Sequence, residues 1–475
     1  MSLFNIHLNT SLEEDYPPYL IYNEDLKKIY GEVNTPYWFI KKMFEIIPSY
    51  EFLNKDVKWL DAGAGRGNFS IYLFFILFKK LENIISDEME RKRHIINNMI
   101  YMVEYNSENT IELQKIFGEN ANIINNDYIS WDTEIEFDYI IGNPPYNSNG
   151  IKKVPTKNNV NKKNDGKTIW HDFIKKNISL LKTNGKMNVL IPSIWMKPDK
   201  AKMYNFLLDF KIEKLHALNS SQVNKIFNYH VQTPICYFLL TKTPSINKIT
   251  LYDELKDDYQ EFPLYSNIPI PLCFSSIVYK FLKITNNYTP LKVIKTNPIP
   301  SNIELNDNLS SKFLYKNIKT TILNKNKEPE LQIVYSNKSL PYHNKSKIVM
   351  AHKMYGFPYI DEEGIYGICT RDNYVIINKS FYEMELIKEF LSTNLILFLF
   401  ETTRYRMRYL EKYVFEYIPD FSQIPEAIKI FHNYKNNLEH EKNIFEKNIF
   451  KLFDINEIEQ KFIERYFNIK YKFFT

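Results

Sequence analysis

The stretch VKWLDAGAGRGNF, at residues 57–69, decides the fold that the sequence predicts. Its apolar first half is typical of a short buried strand, and its glycine-rich second half predicts a tight turn that opens an apolar helix. Glycines let the backbone approach a ligand at the N-terminus of such a helix. The stretch therefore predicts a strand, a turn and a helix that together bind a ligand.

The same alternation of short apolar runs and longer helical patterns extends from about residue 31 to residue 242. Further strands are predicted beside the one at residues 57–63, namely at residues 99–105, 121–127, 137–143, 185–192 and 233–241. Strands that alternate with helices indicate a parallel sheet with helices on its faces. We therefore predict the α/β fold class.

The C-terminal half of the chain has a different character. Prolines cluster between residues 263 and 300, and the strand–helix alternation is lost after residue 242. A chain of 475 residues is long enough for two domains with separate cores. We predict domains at residues 1–245 and 246–475. A loop rich in Lys, Asn and Gly at residues 147–167 follows a strand end directly, and such long loops are often functional.

Arginines are the informative basic residues of this chain. It has 61 Lys and Arg residues and a net charge of +5, but only eight of the basic residues are arginines. Abundant Lys, Asn, Ile, Tyr and Phe indicate the AT-rich genome of a bacterium or virus. Lysine content by itself therefore does not identify a protein that binds polyanions, and the position of the arginines carries more information.

The cysteines and the apolar runs bear on the cellular compartment. The three cysteines are far apart and lack CxxC spacing, which argues against a disulfide framework and a zinc site. The most apolar run, residues 69–78, is half the length of about 20 residues that a membrane span needs. Residues 1–15 do not resemble an export signal. We expect a cytoplasmic protein without a membrane partner or a bound metal.

The strongest motif is Asn143-Pro144-Pro145-Tyr146, at the end of a predicted strand. Open parallel sheets bind ligands at the carboxyl ends of their strands. The lone pair of an aromatic amino group is delocalised into its ring, and hydrogen bonds to the Asn143 side-chain oxygen and the Pro144 carbonyl would localise it. Tyr146 can stack on the same base. The alternative is a Pro-Pro turn that merely closes a strand.

Acidic residues lie at the ends of three consecutive predicted strands. Asp61 ends the first strand, Glu104 the second and Asp127 the third. A carboxylate in these places can bind ribose hydroxyls or an adenine amino group of a nucleoside cofactor. Each acid alone is more often a solvated strand end, but together they indicate a cofactor site. The distance from Asp61 to Glu104 exceeds the about 20 residues of a compact unit, so residues 79–98 predict an insertion or an extended helix.

In chain order, Gly31-Glu32-Val33-Asn34-Thr35-Pro36, DAGAGRGNF, Glu104, Asp127 and NPPY resemble the gamma-class adenine-N6 DNA methyltransferases of the restriction-modification type. The resemblance covers about residues 30–242. It implies a Rossmann-like S-adenosylmethionine-dependent methyltransferase sheet, followed by a C-terminal mixed α/β target-recognition domain.

The resemblance also implies roles for single residues. Thr35 and Pro36 would hold the methionyl carboxylate of S-adenosylmethionine, Asp61 its amino group, Glu104 the ribose and Asp127 the adenine. The complete cofactor site would comprise Thr35, Pro36, Asp61, Ala62, Gly63, Gly65, Glu104, Asp127 and Tyr128. Phe227 would contact the flipped base, although Tyr229 competes for that role.

The C-terminal half carries one further candidate site. Arg404, Arg406 and Arg408 are three of the eight arginines and lie in a segment that resembles recognition domains of related methylases. In an extended conformation all three would point to one side, where they could bind DNA phosphates or guanine edges. A solvated basic stretch of a helix is the alternative.

The predicted function is transfer of a methyl group from S-adenosylmethionine to a flipped adenine in double-stranded DNA, with a separate cognate restriction endonuclease as a candidate partner. Other functions stay open at this point. NPPY also occurs in enzymes that methylate protein glutamine or RNA, while a cytosine methyltransferase usually has Ser in place of Asn143. A bifunctional restriction enzyme and an inactive binding module are the remaining alternatives.

Overall fold

The computed structural model describes Leu3 and residues 35–148, 167–228, 231, 233–323, 329–352, 358–406, 409–436 and 442–470. The chain divides into two compact units. Unit 1 comprises Met1–Tyr252 and Glu261–Leu264, and unit 2 comprises Asp253–Gln260 and Tyr265–Thr475. Most of the predicted loop at 147–167 lies outside the described residues.

Unit 1 is built on a mixed sheet of nine strands in the order β3-β2-β1-β4-β5-β7-β6-β8-β9. The strands are β1 Trp59–Ala62, β2 Ile100–Glu104, β3 Asn122–Asn125, β4 Phe137–Gly142, β5 Leu181–Pro192, β6 Phe210–Leu218, β7 Ile235–Pro244, β8 Lys248–Asp253 and β9 Asp258–Pro263. Strands β1 to β5 are parallel, whereas β7 is antiparallel to both of its neighbours. The strand order reverses between β1 and β4, which is where open α/β sheets bind their ligands.

Seven helices of unit 1 belong to the described residues. They are α1 Tyr37–Phe44, α2 Asn68–Lys80, α3 Glu88–His94, α4 Ser107–Phe117, α5 Trp170–Leu180, α6 Met203–Leu208 and α7 Ser220–Ile226. Helix α2 holds the apolar run, and most of its side chains are buried, as the sequence predicted. The expected insertion at residues 79–98 consists of the end of α2, the short helix α3 and one wide turn at Ile95–Met99.

The first strand is buried on both faces of the sheet. Trp59 of β1 stacks on Phe52 at a centroid distance of 5.3 Å and on Tyr139 of β4 at 4.1 Å. Strand β4 is largely buried as well. Parallel strands covered on both faces contain nearly continuous apolar residues, which explains why this part of the sheet was recognisable in the sequence.

Unit 2 combines two small sheets with helices. Its strands are β10 Ile294–Lys295, β11 Leu305–Asn306, β12 Tyr315–Leu323, β13 Pro329–Ser336, β14 Lys347–Ala351, β15 Tyr359–Asp361, β16 Gly367–Ile368 and β17 Asn373–Ile377. They form the sheets β10-β17-β14-β15 and β11-β13-β12-β16. The helices are α8 Ser275–Thr285, α9 Phe381–Leu391, α10 Asn394–Glu401, α11 Pro425–Asn436, α12 Lys442–Leu452 and α13 Glu457–Lys470.

The predicted fold class is confirmed, with an α/β sheet in the N-terminal part and a mixed α/β C-terminal part. A search of the described residues for a helix long and apolar enough to cross a bilayer finds none.

Candidate active site

The candidate site lies where β1 and β4 end side by side. In the parallel register Asp61 of β1 is opposite Ile141 of β4, so Asp61 and Asn143 leave the sheet at the same edge. Gly142 lies between them with φ +136°, and a Cβ atom on it would come within 3.1 Å of Asp61 Oδ1. Only glycine accepts this backbone conformation without strain and lets the two strand ends approach so closely.

Backbone hydrogen bonds tie the glycine turn after β1 to β2. The N–H groups of Gly63 and Ala64 both donate to the Val103 carbonyl at 3.0 Å. Gly63 and Gly65 have positive φ values of +79° and +55°. At the end of the turn, Gly67 is the N-cap of α2 with φ +85°, and a Cβ atom there would lie 2.6 Å from Leu113 Cδ2. Backbone hydrogen bonds and glycine conformations therefore determine the shape of the turn.

Glu104 stabilises this turn directly. Its carboxylate accepts hydrogen bonds from the Gly65 N–H at 2.7 Å and from the Asn106 N–H at 2.8 Å. The side chain is buried. A carboxylate has about four acceptor positions, so these two bonds are compatible with further ligands. Glu104 thus has a structural contact that its sequence position did not indicate, and its contact with ribose stays a prediction.

Asp61 is a buried acid at the same edge. It is 1% exposed and accepts a hydrogen bond from Ser70 Oγ at 2.8 Å. Burial raises the pKa of Asp61 to about 7; the Ser70 hydrogen bond opposes this shift, and the charge of Glu104 adds to it. A positively charged group beside Asp61 would favour its ionised form. The site therefore fits the ammonium group of a cofactor such as S-adenosylmethionine.

Asp127 and Tyr128 follow β3 but have different surroundings. Asp127 is exposed, and its carboxylate accepts a hydrogen bond from the Ile129 N–H at 3.1 Å. Tyr128 is buried, donates its hydroxyl to Asn177 Oδ1 at 2.7 Å and stacks on Phe173 at 5.1 Å. The hydroxyl of Tyr128 is thus used within the core. Asp127 has the accessibility that its predicted contact with the cofactor adenine requires.

Of the two polar atoms of the Asn143 side-chain amide, only the nitrogen has a hydrogen-bond partner among the described residues. Its Nδ2 donates to Thr35 Oγ1 at 3.1 Å. Its Oδ1 is buried, and no group among the described residues donates a hydrogen bond to it. A buried acceptor without a donor costs free energy on the order of 1–3 kcal/mol. This atom is therefore suited to accept a hydrogen bond from a substrate.

The rest of the motif packs against the glycine turn. Pro144 is buried, and the Cδ atom of Pro145 lies 3.6 Å from the position that a Cβ on Gly63 would occupy. The Tyr146 carbonyl accepts a hydrogen bond from the Ile169 N–H at 3.1 Å. Burial raises the pKa of Tyr146 far above its ordinary value, so its hydroxyl stays protonated. The loop from Asn143 to Tyr146 thus packs against the glycine turn that follows Asp61.

Phe227 is the first residue after α7 and is buried. It makes an edge-to-face contact with Phe39 at 6.1 Å, and Phe39 makes another with Tyr237 at 5.6 Å. Phe39 belongs to α1, the helix that begins directly after Thr35 and Pro36. The segment predicted to bind the cofactor therefore also contacts the predicted base-contacting aromatic residue. Tyr229 and residues 31–34 lie outside the described part of the chain.

Two residues of the site were not predicted from the sequence. Ser70 donates to Asp61 from the first turns of α2, and no sequence pattern indicates this bond. Tyr105 directly follows Glu104, and its large aromatic side chain is 70% exposed. Its position after a strand-end acid was a usable signal, because exposed aromatic rings near a nucleoside site can stack on a base.

Two arginines of the cluster in unit 2 belong to the described residues: Arg404 lies outside regular secondary structure, and Arg406 lies in a bend. Arg404 forms an ion pair with Glu401, and the two side chains are 13% and 3% exposed. Arg406 is 53% exposed, with its Nε atom 3.7 Å from Glu411 Oε1. Arg404 and Arg406 therefore have different surroundings. Arg408 lies outside the described residues.

Further basic residues lie near Arg406. Lys295 Nζ is 3.4 Å from His352 Nε2, and the His352 ring stacks on Tyr409 at 4.8 Å. Burial, followed by the charge of Lys295, lowers the pKa of His352 to about 4, and Arg406 and Arg371 contribute to the shift. The positive charges of this cluster therefore come from Lys295, Arg371 and Arg406, accompanied by the acids Asp372 and Glu411.

Three solved structures illustrate the similarity to known proteins. The type I restriction enzyme M.EcoKI matches at 16% identity and TM-score 0.36, over 48% of this chain and 50% of its own. The methyltransferase subunit of the type I restriction-modification system from Streptococcus thermophilus matches at 16% identity and TM-score 0.31, over 50% of this chain and 51% of its own. The type IIL restriction-modification enzyme MmeI, solved in complex with DNA, matches at 11% identity and TM-score 0.47, over 92% of this chain and 78% of its own. The chain thus covers about half the length of the first two.

A search among curated proteins finds no match to this sequence. A family model described as Eco57I restriction-modification methylase matches residues 69–224. The matched segment begins in α2 and ends in α7, and it contains Glu104, Asp127 and the loop from Asn143 to Tyr146. The central part of unit 1 is therefore similar to a restriction-modification methylase domain.

Proposed function

We propose that this protein is an S-adenosylmethionine-dependent DNA methyltransferase that modifies the N6 amino group of adenine. The observation that carries the proposal is the buried Oδ1 atom of Asn143, an acceptor to which no described residue donates. Asn143 directly follows β4, whose end is adjacent to that of β1, where the strand order reverses. The similarity of residues 69–224 to a restriction-modification methylase supports the same reaction class.

The chain's own residues would activate the amino nitrogen. Asn143 Oδ1 and the Pro144 carbonyl accept the two amino hydrogens, which draws the lone pair out of conjugation and stabilises the positive charge that develops on nitrogen. Pro145 contributes no N–H group, so no backbone donor competes beside the Pro144 carbonyl. The Tyr146 ring presents its electron-rich face to the same charge. S-adenosylmethionine, when bound, supplies the electrophilic methyl group.

The proposed cofactor site uses residues from three strand ends. Asp61 would hold the ammonium group, and the turn at Gly63 and Gly65 would let the backbone approach the cofactor. Glu104, whose carboxylate also holds the turn through two backbone hydrogen bonds, would bind ribose. Asp127 and Tyr105, which are both exposed, would contact the adenine ring of the cofactor.

Duplex DNA is the proposed substrate. The target amino group is paired inside the double helix, so the base must leave the duplex to be methylated. Phe227 and Tyr146 would then stack on the extruded base, at about 1–3 kcal/mol for each ring. In unit 2 the basic cluster around Arg406 would contact DNA phosphates. A target-recognition function of unit 2 and a cognate restriction endonuclease belong to the same proposal.

Tritium transfer from S-adenosylmethionine distinguishes the candidate substrates. Purified protein is incubated separately with unmodified bacterial DNA, total RNA and a cell-protein extract. We expect label in DNA alone. Label in RNA or protein would favour the other enzymes that use an NPPY loop, and no transfer to any substrate would favour a binding module. DNA cleavage in the presence of Mg²⁺, without an added nuclease, would indicate the bifunctional alternative.

The two described arginines of the cluster should respond differently to replacement by alanine. Arg406→Ala removes an exposed cation, so the slope of log affinity against log salt should fall by about one. Arg404→Ala disrupts a largely buried ion pair, so it should lower thermal stability and change the slope little. Fluorescence anisotropy with a non-specific duplex measures the slope, since phosphate contacts do not depend on sequence. Equal slopes for wild type and Arg406→Ala would contradict the phosphate contact.

A further inference from the structure

The Thr35 hydroxyl contacts Asn143 across 108 positions of sequence. We infer that Thr35 is a positioning residue, which holds the Asn143 amide so that its Oδ1 atom faces the substrate. This inference rests on the proposed function of Asn143. It differs from the role that the family resemblance implies for Thr35, which is a direct contact with the cofactor carboxylate.

An asparagine amide needs such an anchor to act as an acceptor. Rotation about its terminal bond is soft and nearly two-fold, and a half turn exchanges the oxygen for an NH2 group. In the rotated state a donor would face the donor hydrogens of the substrate amino group. The hydrogen bond from Nδ2 to Thr35 Oγ1 at 3.1 Å holds the amide in the orientation in which Oδ1 has no donor among the described residues. Thr35 would therefore act on the rate by fixing one side chain.

Thr35 is itself well supported for this role. Its side chain is buried, and its carbonyl accepts a hydrogen bond from Asn68 Nδ2 at 3.4 Å. Pro36 follows with φ −60° as the N-cap of α1, so the backbone at this point has little freedom. Asn68 is the first residue of α2, directly after the glycine turn. Thr35 therefore connects the cofactor side of the site to the NPPY loop.

The segment that begins at Thr35 also contacts Phe227, the residue proposed to stack on the base. Four residues after Thr35, Phe39 packs edge-to-face against Phe227. Thr35 and the first turn of α1 thus contact the proposed amino-group acceptor and the proposed stacking residue, respectively. A change in the Thr35 hydroxyl alone leaves the Phe39 contact in place, which separates the hydrogen bond from the general packing of the helix.

A comparison of three variants tests the inference. Thr35→Val keeps the shape and removes the hydroxyl, and we expect it to lower the single-turnover rate at saturating cofactor and DNA about tenfold, with an unchanged cofactor Kd by calorimetry. Thr35→Ser restores a hydroxyl and should stay within about threefold of wild type. In the Asn143→Ala background, Thr35→Val should have no further effect on the rate, because its partner is already absent.

Each outcome has a distinct meaning. A Thr35→Val variant as fast as wild type, or one that weakens cofactor binding without a slower rate, would overturn the positioning role while leaving the proposed function intact. A further loss of rate in the double variant would also overturn it, because it would show an effect that does not pass through Asn143. Full activity of Asn143→Ala would instead overturn the catalytic assignment itself. A Thr35→Val variant that does not fold is replaced by Thr35→Ala in the same comparison.

Discussion

Replacing Asn143 by alanine is expected to lower methyl transfer about 100-fold or more while S-adenosylmethionine binding is retained. The variant loses an acceptor that acts on the charge developing in the transition state, and the loss of one such contact typically costs 10²–10³-fold in rate. The cofactor contacts proposed for Asp61, Glu104 and Asp127 lie on other strands. The substitution should therefore affect the rate constant much more than the cofactor affinity.

Single-turnover kinetics with saturating cofactor measure the rate of the Asn143→Ala variant, and calorimetry measures its affinity for the cofactor. Asn205→Ala is a suitable control, because Asn205 is an exposed asparagine of α6 in the same unit. We expect the control to transfer methyl groups at the wild-type rate. An Asn143→Ala variant as active as the control would refute the catalytic role of this side chain.

The second large effect is expected at Asp61. Asp61→Asn should weaken S-adenosylmethionine binding about 100-fold at pH 8, because a cofactor cation would lose its buried anionic partner. In the wild-type protein the pKa of about 7 means that the carboxyl is mostly ionised above pH 7 and protonated below it. A cation binds the ionised form, so the affinity should fall about tenfold for each pH unit below 7 and level off above it.

Calorimetry between pH 5.5 and pH 8.5 tests this dependence. Ser70→Ala provides a matched control, because the Ser70 hydrogen bond lowers the pKa of Asp61. Its loss should move the midpoint of the affinity curve to higher pH, whereas Asp61→Asn should abolish the pH dependence assigned to this carboxyl. A wild-type affinity that does not change over this range would contradict the assignment, as would an Asp61→Asn variant with undiminished affinity at pH 8.

The sheet was largely predictable because its strands β1, β2, β4 and β7 are buried over most of their length. The six predicted strands correspond to β1, β2, β3, β4, β5 and β7. Strands β6, β8 and β9 of this sheet were missed. In β6, the polar residues Lys211, Glu213, Lys214 and His216 interrupt the apolar residues and leave a pattern typical of a half-buried strand. Strand β5 begins at Leu181, four residues before the predicted start at residue 185. The prediction missed its first part because polar residues predominate there.

The local parts of the candidate site were also evident in the sequence. The glycine turn and the NPPY motif are short, and each needs only its own neighbours along the chain to be recognised. The contacts of Thr35 with Asn143, of Ser70 with Asp61 and of Glu104 with Gly65 depend instead on which strands and helices are adjacent in space. A single sequence without that arrangement does not specify them.

The arginine cluster shows a signal that the sequence contained and that was not used. Glu401 precedes Arg404 by three positions, a spacing that favours an ion pair at a helix end. That spacing predicts a paired Arg404 rather than one available to DNA. The proximity of Lys295, Arg371 and His352 to Arg406 arises from the pairing of β10, β14 and β17, and only the structure provides it.

The most direct test of the proposed function is mass spectrometry of the nucleosides from DNA that has been incubated with the purified protein and S-adenosylmethionine. The DNA is prepared from cells that lack adenine and cytosine methylation, and a parallel sample receives the Asn143→Ala variant. We predict N6-methyldeoxyadenosine in the wild-type sample, with at least a 100-fold lower initial rate of formation for the variant. Methylated deoxycytidine in place of methylated deoxyadenosine, or equal formation of N6-methyldeoxyadenosine by both proteins, would contradict the account.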